Sequence, residues 1–235
     1  MYLKELIILF TFAFLPAVIY TIWIRNTERY NREKWIPIIV CFIWGATVAV
    51  VASIVLEIIL EISIASSFNS ANLICLSTAI LIAPFVEELV KPFALRTKTV
   101  KNEIVELEDG LIYGAVAGLG FSATENLFYG YSFLSEGLVV FLFLIIIRSF
   151  GGCLLHASAT ALTGYGYGKT IIKKKSIIRV FPFFLLAVLI HAFYNFLVSF
   201  DFIGLISGLF LALILVAISI HLIRNKIRKL DYSNR

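Results

Sequence analysis

Apolar runs of about 20 residues recur along the whole chain, and they restrict its fold more than any motif does. A run of that length crosses a bilayer as a helix at 1.5 Å per residue. Inside lipid, every backbone polar group must be satisfied within the protein, which leaves only helices and closed barrels. The runs fall at about 6–24, 35–64, 72–95, 109–130, 138–168, 178–200 and 202–223. The chain is 60% hydrophobic and 15% charged, against about 45–50% and 25% in a globular domain. The expected fold is therefore all-α, a polytopic transmembrane helix bundle of about seven spans forming one domain over 1–235. The run 138–168 is too long for one straight crossing, so it should tilt strongly or break near Gly151-Gly152. The first run lacks a basic leader and a small-residue cleavage site, so it is expected to be a retained span. Short polar turns are expected at 66–70 and at Asp201.

Charge placement gives the orientation. Seventeen of the 20 Lys and Arg residues fall in the first, third and fifth loops (Arg25 to Lys34, Arg96 to Lys101, Lys169 to Arg179) and in the tail from Arg224. The opposite side carries Lys4, while Lys91 and Arg148 lie within spans. The positive-inside rule then places the N-terminus outside and the C-terminus in the cytoplasm. The net charge of +5 belongs to cytoplasmic loops, and no nucleic-acid partner is expected. The Lys173-Lys174-Lys175 run reads as a topology signal at anionic headgroups. Cys41, Cys75 and Cys153 lie in apolar runs without metal or redox spacing and read as small buried residues.

Against this background the charges at bilayer depth stand out, because each costs about 2.5–3.5 kcal/mol to insert. Glu87, Glu88 and Lys91 share the third run, where Lys91 lies four residues from Glu87 and three from Glu88. Pro84 and Pro92 bracket them and should bend the backbone. Glu125 and Asn126 lie in the fourth run, Arg148 and His156 in the fifth, His191 and Asn195 in the sixth. His191 and Asn195 are one helical turn apart, as are Phe121 and Glu125, so each pair shares a face. Gly114-x-x-x-Gly118 permits close helix approach. Phe121 is expected to pack, His221 to lie at an interface, and Glu57 and Glu61 to sit at a wet outer helix end. Glu125 and Asn126 also suit neutralisation of Arg148.

These residue types describe a hydrolase without a serine or cysteine nucleophile. A glutamate can act as general base on water. A histidine and an asparagine amide can stabilise an oxyanion. The same set, with Glu88, Glu125, His156 and His191 as ligands, could instead hold a divalent metal, zinc being the natural choice. Two rivals use the same groups. One is an ion- or proton-coupled transporter, which should show inverted repeats that this sequence lacks. The other is a catalytically silent membrane scaffold.

The ordered set Glu87-Glu88-x-x-Lys91, Phe121-x-x-x-Glu125-Asn126, His156 and His191-x-x-x-Asn195 resembles the motifs of PrsW-type intramembrane proteases. These are relatives of the CAAX-prenyl proteases and bacteriocin-processing enzymes of the CPBP superfamily. Asp109-Gly110-Leu111-Ile112-Tyr113-Gly114 before the second motif, and Arg148 before His156, extend the likeness, which covers about 82–195. The resemblance implies an intramembrane endopeptidase with a catalytic core at about 72–200. It implies catalytic roles for Glu87, Glu88, Glu125, His156, His191 and Asn195, supported by Lys91, Asn126 and Arg148. The CAAX branch has histidine where this chain has Glu125, and His156 stands as its replacement. The family has been described both as glutamate-dependent and as metal-dependent. The implied substrate is a membrane-anchored protein, such as a single-span regulator of the anti-sigma-factor kind. The implied setting is a prokaryotic plasma membrane.

Overall fold

The computed structural model describes residues 3–65, 70–199 and 204–233. Of the turns expected at 66–70 and at Asp201, residues 66–69 and Asp201 lie outside the described residues. Every regular element among those residues is helical. Helix α1 is Leu3–Arg25 and α2 is Trp35–Trp44, which passes through a π-turn at Gly45–Ala49 into α3, Val50–Ala65. Helix α4, Ala71–Ser77, passes through a second π-turn, Thr78–Ile82, into α5, Ala83–Val90, and a 3₁₀ turn at Lys91–Arg96. The short α6, Lys98–Lys101, precedes α7, Leu107–Leu134. Then come α8, Leu138–Phe150; α9, Gly152–Ile172; a 3₁₀ turn at Ile177–Val180; α10, Phe181–Ser199; and α11, Leu205–Ser233.

Six segments are long and apolar enough to cross a membrane: Leu3–Arg25, Trp35–Ile64, Asn72–Arg96, Leu138–Ile172, Ile177–Ser199 and Leu205–Ser233. Helix α7 is long enough, at 28 residues, or about 42 Å, but it is less apolar. It is the core of the bundle rather than part of its rim. Residues Glu108 to Ala123 are all buried along α7, whereas α1, α3, α10 and α11 carry exposed Ile, Leu, Val and Phe on their outward faces. A helix enclosed by other helices needs small side chains more than hydrophobicity. Gly118 shows why: a Cβ there would collide with the His156 carbonyl oxygen. Glycine thus lets α9 lie against α7, with His156 at the contact.

The long fifth run breaks where glycine permits. Helices α8 and α9 meet at Gly151, whose amide still bonds the Ile147 carbonyl at 2.8 Å. A Cβ on Gly151 would press into the Tyr194 hydroxyl. The π-turn before α5 has an equally local cause. Pro84 has no N–H to donate, and the Ala83 amide reaches back to Thr78 O. That removes the α-helical partner of the Ala79 carbonyl, which is then free for a side chain.

Candidate active site

Helix α5 presents Glu87 and Glu88 one turn before Lys91, so the ammonium meets both carboxylates. Lys91 Nζ donates to Glu87 Oε2 at 2.7 Å and to Glu88 Oε1 at 3.0 Å. Lys91 and Glu88 are wholly buried and Glu87 nearly so. A lysine enclosed this way survives only with its partners, since breaking a buried pair costs about 3–5 kcal/mol. The Phe121 ring covers the same ammonium at 4.2 Å, adding a cation–π contact to the packing role expected of it.

The hydrogen bonds fix the tautomer of each histidine. Lys91 Nζ lies 2.8 Å from His156 Nδ1, and an ammonium can only donate. His156 Nδ1 therefore accepts, and its N–H sits on Nε2, donating to Glu125 Oε2 at 2.7 Å. His191 Nδ1 lies 3.0 Å from Glu88 Oε1, so it donates and Nε2 keeps its lone pair. Glu88 Oε2 accepts from Thr160 Oγ1 at 2.9 Å. Glu87 stands beside the acceptor nitrogen of each imidazole, although that of His156 is occupied by Lys91. Glu87 Oε2 is 3.7 Å from His156 Nδ1 and 4.0 Å from His191 Nε2. The two rings meet edge to face, with centroids 4.9 Å apart.

The outer part of the site follows the pairing suggested by the sequence. Arg148 donates from Nε to Asn126 Oδ1 at 2.8 Å and from Nη2 to Glu125 Oε2 at 3.2 Å, and it stacks on Tyr129 at 3.8 Å. Glu125 therefore serves Arg148 and His156 together. Asn195 Nδ2 donates to the Ala79 carbonyl at 2.8 Å, the group released by the π-turn. A cavity of about 330 Å³ lies among these residues, lined by Glu57, Glu87, Glu125, His156, His191 and Asn195.

One atom from each of Glu87, His156 and His191 lies within 4.8 Å of the others, a group able to hold a metal ion. The donor types suit zinc with three protein ligands and an open position. Each imidazole is backed by a carboxylate through its other nitrogen, the usual support of a metal-bound histidine. Of the ligands expected from sequence, His156 and His191 face the common point, while Glu88 and Glu125 stand behind the rings and Glu87 stands in front. A cation at that point would displace Lys91 from Glu87 and His156 and leave it with Glu88.

The sequence model of the PrsW family intramembrane metalloprotease matches residues 33–222. This chain belongs to that family. It is 29% identical over 198 residues to Protease PrsW of Clostridioides difficile (strain 630), covering 83% of this chain and 80% of that protein. It is 27% identical over 190 residues to Protease PrsW of Oceanobacillus iheyensis, covering 78% and 80%. No solved structure matches it. The chain is accordingly a multi-pass membrane protein and an intramembrane protease, with buried glutamates and histidines at its centre. The transporter and scaffold readings are not favoured.

Sequence reasoning missed Thr160 and misplaced Glu57. Thr160 follows His156 by one turn on α9, a spacing that could have flagged it as sharing the face. Glu57 was expected at a wet helix end, yet it is half-buried and lines the cavity. Only the packing of α3 against α5 brings it there, and no local signal reports that.

Proposed function

We propose that the chain cleaves a peptide bond of a membrane-anchored protein at a zinc site held by Glu87 Oε2, His156 Nδ1 and His191 Nε2. The observation that carries this reading is the approach of one nitrogen from each imidazole to a single carboxylate oxygen, at 3.7 and 4.0 Å. When bound, zinc lowers the pKa of a coordinated water toward 7 and polarises a carbonyl. The remaining roles belong to the chain. Glu88 holds the Nδ1 proton of His191, and Glu125 holds the Nε2 proton of His156, so neither ring can turn. Arg148 and Asn126 hold Glu125. Lys91 offsets the two α5 carboxylates. Asn195 ties α10 to the π-turn and lines the cavity, where its amide edge borders an incoming carbonyl. Glu57 lines the cavity without a hydrogen-bond partner among the described residues, and it takes the proton released by water.

The same reading places α7 as the seventh crossing, enclosed by the six apolar segments. It puts the N-terminus outside, the C-terminus in the cytoplasm, and the protein in a prokaryotic plasma membrane. A single-span regulator is the fitting substrate, since its helix could unwind into a cavity lined by buried polar groups.

One contact favours a second reading. Lys91 Nζ sits 2.7 Å from Glu87 Oε2 and 2.8 Å from His156 Nδ1, where a metal would compete with it. In metal-free hydrolysis Glu87 would be the base and the histidines would steady the oxyanion. Elemental analysis of the purified active protein separates the two. Near-stoichiometric zinc, absent from a Glu87→Gln, His191→Ala variant, supports the metal site. Active protein without metal refutes it.

A further inference from the structure

A second group of carboxylates lies outside the active site, where the loop after α1, the start of α7 and the end of α11 meet. One oxygen from each of Glu28, Glu108 and Asp231 lies within 4.8 Å of the others, and all three residues are buried. Glu28 has no exposed surface. Its Oε2 accepts from the Glu33 amide at 3.2 Å, while its Oε1 is buried with no hydrogen-bond partner. Asp231 sits at the C-terminal end of α11, where the helix dipole opposes a negative charge. Its two oxygens accept from the amides of Arg29 and Tyr30, at 2.9 and 3.2 Å.

The side-chain hydrogen bonds of the arginines nearby go to other groups than the Glu28 and Asp231 carboxylates. Arg25 Nε donates to the Glu33 carbonyl and Arg32 Nε to the Glu28 carbonyl. Arg29 reaches the Tyr232 hydroxyl and Arg224 the Thr27 hydroxyl. Among the described residues, no ion pair reaches the Glu28 or Asp231 carboxylates. A fully buried carboxylate oxygen without a partner, as Glu28 Oε1 is, needs a proton or a counter-charge.

We propose that Glu28, Glu108 and Asp231 bind a hard divalent cation, calcium or magnesium, that ties α11 to the core. Calcium–oxygen distances of about 2.3–2.6 Å put ligand oxygens up to about 5 Å apart across the ion, and the three oxygens lie within 4.8 Å of one another. An all-carboxylate set selects such an ion over zinc or copper. The unpartnered Glu28 Oε1 supplies a ligand at no cost to an existing contact. This site is independent of the active-site reading, because none of its residues lines that cavity.

The test uses the full chain in detergent, stripped with chelator and titrated with CaCl₂ or MgCl₂ while the unfolding midpoint is followed. A saturable rise is expected, with at least tenfold weaker apparent affinity in Glu28→Gln and in Glu108→Gln. The rise should persist in His156→Ala, His191→Ala, which lacks two of the proposed zinc ligands. Terbium luminescence gives a readout independent of stability. The Tyr30 and Tyr232 rings, 5.5 Å apart, flank Asp231 and should sensitise the ion until calcium displaces it. No response of the wild type to either cation overturns the proposal. So does an equal response in both Gln variants, or stabilisation by acid alone.

Discussion

Glutamine at position 87 and at position 88 should have unequal consequences, although the two residues are neighbours in sequence and share one lysine. Glu88 accepts three hydrogen bonds: Lys91 and His191 at Oε1 and Thr160 at Oε2. Glutamine can keep all three contacts, with its carbonyl toward Lys91 and His191 and its NH₂ toward the threonine hydroxyl. Only the charge is lost, and with it the basicity that the carboxylate lends to His191. Loss of such a supporting carboxylate typically costs 10–100-fold in metal affinity or activity, or about 1.4–2.7 kcal/mol. Glu87 Oε2 instead lies 3.7 and 4.0 Å from one nitrogen of each imidazole, and an amide there removes the anionic ligand. The assay is cleavage of a single-span substrate in proteoliposomes across a zinc titration, with metal content measured in parallel. Glu88→Gln should be slowed 10–100-fold and recover with added zinc. Glu87→Gln should carry no metal and stay inactive at any zinc concentration. Cleavage by Glu87→Gln, or a Glu88→Gln variant that zinc cannot rescue while Glu87→Gln responds, would refute the assignment of the two carboxylates.

Glu57→Gln should lower cleavage by about 10²–10⁴, the range for a general base, while the unfolding midpoint and zinc content hold; an unchanged rate sinks the proton role. Gly118→Ala should drive α7 away from the His156 carbonyl, costing about 1–3 kcal/mol by overpacking, and a thermal melt at wild-type temperature would contradict this. Asn195→Ala leaves the Ala79 carbonyl without its amide, so both stability and rate should fall, whereas a purely oxyanion role would lower rate alone. Burial and the neighbouring Asp109 push Glu33 in the 26–34 loop up to about 10. The folded state therefore holds a proton that the unfolded chain releases near pH 4.5. Its contribution is full below that pH and is lost as pH rises toward 10. In chelator-treated protein the melting temperature should fall between pH 6 and 9, and Glu33→Gln should flatten that slope.

The legible part of this protein was the part written in residue type and short spacing. Apolar runs mark six segments long enough to cross, because lipid accepts little else. Lys91 falls one turn from Glu87 and Glu88, so their pairing follows from helix geometry alone. Arg148 met Glu125 and Asn126 because a buried guanidinium must find acceptors. What the sequence hid depends on distance in the chain. Helix α7 is less apolar than its neighbours because it is the axis the others enclose, and hydropathy cannot tell a wetter helix from a better-buried one.

The division of labour between Glu87 and Glu88 was equally hidden, because adjacent helical residues point about 100° apart and only the partners on α9 and α10 distinguish them. Thr160 and the Nδ1–H of His191 claim Glu88, whereas Glu87 Oε2 lies nearest His156 Nδ1 and His191 Nε2. Asn195 makes the same point in reverse. Its spacing from His191 suggested an oxyanion donor, yet the amide meets a carbonyl that exists as an acceptor only because Pro84 and the Ala83 amide leave it unbonded. A proline on α5 therefore decides what an asparagine on α10 does. Replacing Pro84 with alanine should let α5 wind back, return an amide to the helix, and loosen Asn195 without touching a charged group of the site.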